Sequence, residues 1–178
     1  RQKIDKTRMF GAGAVEIVLT GDYFDQTLKA AQDYTAAHGA VFLSPFDDAR
    51  VIEGQATVAA EMLAQIDAAP DLVVLPVGGG GLAAGVTEYC ALSAPQTGFA
   101  FVEPAGGASL AAALAEGAPV TLPRVDSFVD GAAVARIGAL PFEALPRTRT
   151  GPSPISNLSE ARPKMASGRA GGLGGGQG

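Results

Sequence analysis

Leu72-Val73-Val74-Leu75-Pro76-Val77-Gly78-Gly79-Gly80-Gly81-Leu82-Ala83-Ala84-Gly85 decides the fold. Leu72 to Leu75 are continuously apolar, as a central parallel strand covered on both faces requires. Four glycines then remove every Cβ where the backbone has to turn, and Leu82 to Leu92 read as a helix. The bare amides of the turn would lie at the helix's positive end, which favours an anion, most simply a phosphate. A tight strand-to-helix turn without a ligand is the plainer alternative.

Outward from this stretch the elements alternate. Upstream, Gln2 to Phe10 predict an amphipathic helix with Lys3, Lys6 and Arg8 as a solvated face. Ala14 to Leu19 predict a strand, and Phe24, Leu28, Ala31 and Tyr34 recur at helical spacing, with Asp22 as a candidate cap and His38 closing the last turn before Gly39. Ala40 to Leu43 read as a short strand, and Asp47 and Asp48 as a turn and helix N-cap rather than a metal or acid/base pair. Val51, Val58, Met62 and Ile66 trace one apolar helical stripe. Downstream, Gly98 to Val102 form a strand stopped by Glu103-Pro104, Ala108 to Glu116 a small-residue helix, and Val125 to Val134 a loop and strand. Such alternation predicts an α/β fold, a doubly wound and mostly parallel sheet with helices on both faces. Glu103 falls at the carboxyl end of its strand, the edge where open α/β sheets bind ligands.

Composition narrows the function. The 178 residues are 47% hydrophobic, enough for a buried core, and no stretch nears the roughly 20 apolar residues of a membrane span. With no leader pattern at the start, a cytoplasmic protein is expected, with no membrane partner. Residues 1–147 hold nine basic and 17 acidic side chains, net −8, while the last 31 hold four and one, net +3. An acidic body argues against nucleic acid. The single Cys90 cannot form an internal disulfide and reads as core filler, and the single His38 excludes a His-rich metal site. From about Thr148 the Gly/Pro/Ser-rich segment shows no apolar period and predicts a disordered tail.

Three phosphate-binding readings compete at the glycine turn. A P-loop needs a Gly-Lys-Ser/Thr ending, and the turn has no Lys. Gly78, Gly80 and Ala83 fit the spacing of a dinucleotide fingerprint, with Glu103 at the end of the next strand. That fingerprint usually occupies the first strand-turn-helix unit, whereas here at least one unit precedes it. Four consecutive glycines also suit a compact phosphate cup, and a non-catalytic dinucleotide-binding module stays open as the alternative.

Five blocks carry a family resemblance: Gln2-Lys3-Ile4-Asp5-Lys6-Thr7-Arg8, Gly54-Gln55-x-Thr57-Val58-Ala59-x-Glu61, Pro76-Val77-Gly78-Gly79-Gly80-Gly81-Leu82, Val102-Glu103-Pro104-Ala105 and Phe128-Val129-Asp130-Gly131-Ala132-Ala133-Val134. In register from about Arg1 to Arg147, they resemble the biosynthetic threonine dehydratases (threonine ammonia-lyases), fold-type II pyridoxal-phosphate enzymes with a tryptophan-synthase-β-like fold. Serine dehydratases and serine racemases match less well at the Val102 and Phe128 blocks. The resemblance implies a fragment of the catalytic domain. Residues 1–46 would end the small lobe, 47–147 would form part of the large cofactor-binding lobe, and 148–178 would be foreign to the family. It implies that Gly78, Gly79, Gly80, Gly81 and Leu82 hold the phosphate of pyridoxal 5'-phosphate, with Glu103 and Gly131 near its ring. It further implies L-threonine as substrate, the first step of isoleucine biosynthesis and a homo-oligomeric whole enzyme. The cation site of racemase-like relatives would pair Glu103 with Ser109, not a carboxylate, so no metal is expected. None of Lys3, Lys6, Lys29 and Lys164 stands in the Ser-x-Lys-x-Arg-Gly-Ala setting of the family's Schiff-base lysine, so no catalytic residue is assigned and this chain alone is expected to be inactive.

Overall fold

A computed structural model describes residues 2–21, 24–126 and 128–147. They fall into two compact units divided between Leu43 and Ser44. The first holds α1 (Gln2–Gly11) and α2 (Phe24–His38). In α2, Lys29 reaches Asp33 one turn on at 2.8 Å, and the His38 ring stacks on Tyr34. The expected strands at Ala14 to Leu19 and Ala40 to Leu43 do not form, and both stretches are irregular. A strand exists only beside another, and among the described residues none pairs with them, so Val15, Val18, Leu19, Val41 and Leu43 stay exposed.

The second unit carries α3 (Ala49–Gln65), β1 (Leu72–Pro76), α4 (Gly81–Ser93), β2 (Gly98–Val102), α5 (Ser109–Glu116) and α6 (Ala139–Arg147). Single 3₁₀ turns lie at Ala105–Gly107 and Asp130–Ala132. The two strands pair in parallel, Leu72 opposite Gly98 through Pro76 opposite Val102, with α4 as the crossover between them. The α/β, parallel class holds, in partial form. Coverage of β1 on both faces does not: Leu75 is buried, but Leu72 and Val74 are 52% and 55% exposed, so one face is open among the described residues. Leu75, Val86, Phe99, Phe101, Leu110 and Ile137 centre one core. Cys90 lies within it, and burial pushes its thiol up, away from the reactive thiolate, as a core filler requires.

Helix α3 starts where Asp48 accepts the amide of Arg50 at 2.9 Å, as the Asp-Asp pair predicts. Among the described residues from Val125 to Val134 the expected strand does not form, because amides are spent locally: Ala132 donates to Val129, Ala133 to Asp130 and Val134 to Ala132. Helix α6 escapes the periodicity because Pro141 interrupts the pattern. Proline costs little in a first turn, where its missing N–H has no helical acceptor.

Helices α3 and α4 touch backbone to backbone at Gly85, where a Cβ would lie 2.3 Å from the Ile52 carbonyl oxygen and 2.7 Å from the Ala56 nitrogen. Gly85→Ala is expected to destabilise the protein by about 3 kcal/mol in urea unfolding, because neither backbone can yield cheaply. Gly54→Ala, on the open side of α3 with nothing within 4 Å, is expected to stabilise by about 0.5–1 kcal/mol. Equal effects would refute the close approach.

Candidate functional site

The glycine turn joins β1 to α4 at the carboxyl end of the strand, where the sequence reading sets it. Gly80 is the residue before the helix and takes the left-handed conformation, φ +91°, which side chains resist. Each glycine also meets a close neighbour. A Cβ on Gly79 would lie 2.2 Å from the Phe46 ring, one on Gly80 2.7 Å from Pro141, one on Gly81 3.0 Å from the Phe46 backbone and one on Gly78 3.0 Å from that of Ala132. Phe46, Ile137, Gly138 and Pro141 are therefore part of the site. No local signal marks them, since they come close only in the folded chain.

Gly79, Gly80 and Gly81 are buried, yet among the described residues none of the amides from Gly78 to Ala83 donates to a backbone carbonyl. The first helical bond runs from Ala84 to the Gly80 oxygen at 2.9 Å. No side chain caps α4. The three other helices of this unit do have carboxylates at their starts: Asp48 on α3, Glu103 on α5 and Asp47 on α6. Each buried amide left unmet costs about 1–3 kcal/mol, so α4 presents donors that an anion would satisfy. These residues fit a phosphate: buried glycines free of Cβ atoms, unpaired N–H groups and the positive end of a 13-residue helix.

Glu103 follows β2 and is 6% exposed, with both oxygens engaged by α5, from Leu110 N–H at 2.7 Å and Ala111 N–H at 2.9 Å. Its carboxylate is thus turned to a helix start. Burial raises its pKa above the ordinary 4.5, and the two amides pull it back in part. Gly131 lies exposed in the 3₁₀ turn whose Ala132 packs on Gly78. Ser109 is fully buried and its hydroxyl donates to the Gly78 oxygen over a long 3.4 Å. Among the described residues no three His, Cys, Asp or Glu side chains gather closely enough to hold a metal.

Known proteins share this architecture. A family model for pyridoxal-phosphate dependent enzymes matches residues 1–160, reaching past Arg147. The biosynthetic L-threonine dehydratase IlvA of Mycobacterium leprae is 50% identical over 145 residues, covering 82% of this chain and 34% of that protein. The processed form of threonine deaminase isoform 2 from Solanum lycopersicum superposes with a TM-score of 0.73 and 39% identity, over 81% of this chain and 41% of its own. The threonine deaminase of T.th. gives 0.76 and 30%, over 85% and 49%. The chain belongs to the pyridoxal-phosphate dependent enzyme family. Within it, these relatives are threonine dehydratases and deaminases, as the five sequence blocks imply, and the chain spans about a third of the length of the curated relatives it matches.

Glu103 provides a pH test. Since its folded pKa is raised, its contribution to stability is fully present below the unfolded value and is lost as pH rises through the folded one. Stability measured from pH 4 upward is expected to lose this increment in the native chain. Glu103→Gln should abolish the slope and be less stable at every pH, since its NH₂ faces an amide donor. An unchanged slope would contradict the buried carboxylate.

Proposed function

We propose that Gly78, Gly79, Gly80, Gly81 and Leu82 hold the phosphate of pyridoxal 5'-phosphate through backbone amides. We further propose that the whole protein is a threonine ammonia-lyase, converting L-threonine to 2-oxobutanoate and ammonia in isoleucine biosynthesis. The observation that carries the reading is the run of unpaired amides in a buried turn at the uncapped start of α4. When bound, the cofactor supplies an electron-withdrawing ring that stabilises negative charge at the amino acid's Cα. The residues of this chain bind and orient. Amide dipoles neutralise the phosphate without a mobile counter-ion, Phe46 packs on Gly79 and Gly81, and Ala132 sets the third edge through Gly78. Gly131, one residue along that same turn, would lie toward the ring, and Glu103 would act through α5 rather than by direct contact.

Residues 1–46 and 47–147 are assigned to the small and large lobes, a division supported by the break at Leu43/Ser44. Residues 148–178, assigned as foreign to the family and disordered, lie outside the described residues. A small-molecule substrate accords with the names of the relatives, and the whole protein is proposed to be a cytoplasmic homo-oligomer. Among the described residues no helix is long and apolar enough to cross a membrane. The 178-residue chain alone is expected not to turn over threonine, because none of its four lysines has the family's setting.

Titration of the protein with pyridoxal phosphate and with pyridoxal, which lacks the phosphate, separates the parts of this reading. The phosphorylated form is expected to bind at least tenfold tighter, about 1.4 kcal/mol, and inorganic phosphate to compete. Gly80→Ala, strained at positive φ, should erase the difference. Equal affinity for the two forms would refute the phosphate cup. Release of 2-oxobutanoate by the 178-residue chain, lost on changing any of its lysines, would refute the assignment of inactivity.

A further inference from the structure

Two jaws close on the glycine turn. Phe46 lies over Gly79 and Gly81, while Ile137 and Pro141 lie over Gly80, and the Gly138 amide donates to the Gly79 oxygen at 3.0 Å. The jaws are 92 residues apart in sequence, and one side chain bridges them. Asp47, beside Phe46, accepts the Leu140 amide at 2.9 Å and the Ala139 amide at 3.1 Å, one on each carboxylate oxygen. Its own amide donates to the Ser44 hydroxyl at 2.9 Å, so the loop that carries it is also tied. Gly138 has no room for a side chain because Asp47 lies over it: a Cβ there would be 3.0 Å from both Cβ and Cγ of Asp47. Asp48, the next residue, caps α3, its carboxylate bonded to the amide and guanidinium of Arg50.

We propose that Asp47 is a positioning residue for the phosphate-holding turn: by capping α6 it locks Gly138 onto Gly79 and holds Phe46 on the opposite side, fixing the turn between them. This rests on the reading of Gly78 to Leu82 as the phosphate holder. A cap that served only α6 would stabilise that helix and stop there. A clamp passes its loss to the turn, because the Gly138-to-Gly79 bond starts one residue before the capped helix.

The test uses the whole protein with Asp47→Ala, Asp47→Asn and, as a cap unconnected to the turn, Asp48→Ala. The readouts are the affinities for pyridoxal phosphate and pyridoxal and the amide exchange of Gly138 and Ala84, the donors to Gly79 and Gly80. Asp47→Ala is expected to weaken pyridoxal phosphate about tenfold, the size of one lost helix cap, with pyridoxal unchanged within twofold and exchange at both amides faster. Asp47→Asn, which keeps one accepting oxygen, should recover part of each effect and reports in place of the alanine variant should that not fold. Asp48→Ala should lower stability without changing the ratio of the two affinities. Equal weakening of both ligands, unchanged exchange at Gly138 and Ala84, or an Asp48→Ala effect matching that of Asp47→Ala would overturn the clamp. A wild-type protein that holds both ligands equally would overturn the phosphate reading alone, and the exchange data would still decide the positioning role.

Discussion

The second unit depends on the close approach of other chain segments to the bare backbone of Gly78 to Gly81 and again at Gly85. At these positions the space that a Cβ would occupy is taken by Phe46, Pro141, Ala132 and the Ile52 carbonyl. Interiors are packed too densely for such a site to relax around an added methyl group. Four glycines in a row are therefore a packing requirement, and the bare amides that suit an anion come with it. Structure and ligand chemistry draw on the same residues.

Acidic side chains take up the corresponding roles at the other helix starts. Asp47, Asp48 and Glu103 each turn a carboxylate onto the amides of a different helix, and the start of α4 is the one in this unit left to glycine alone. A negative residue there would meet the dipole well and would also repel the phosphate proposed for it. Asp48 shows how strongly such a position favours the charged form: the side-chain bond from Arg50, with the Arg50 amide, brings its pKa down to about 2. Glu103 goes the other way, since burial outweighs two amide bonds. The excess of acidic residues in residues 1–147 is in part a set of helix caps.

The open face of β1 bears on the length of the chain relative to its kin. Leu72 and Val74 are half exposed where a parallel sheet normally carries a helical layer on each side. Apolar residues in the first unit, such as Val18 and Leu19, are likewise uncovered among the described residues. The Mycobacterium leprae relative aligns with this chain over 34% of its own length.

Periodicity and punctuation were enough for most, not all, of the local elements of the second unit. The apolar run at Leu72, the glycines, the stripe from Val51 to Ile66 and the alternation at Phe99 and Phe101 each name an element, because the hydrophobic pattern and the backbone demand coincide there. The glycine turn and the Asp48 cap were legible for the same reason, since both depend on residues within a few positions. Ala14 to Leu19 and Ala40 to Leu43 misled, because a strand is a property of a pair and the alternation of one segment says nothing of its partner. Helix α6, the engagement of Glu103 by α5 and the bridge from Asp47 to Leu140 were settled only in three dimensions. Their partners are seven to 93 residues away, and a hydrogen bond across such a gap leaves no mark on the spacing of either residue.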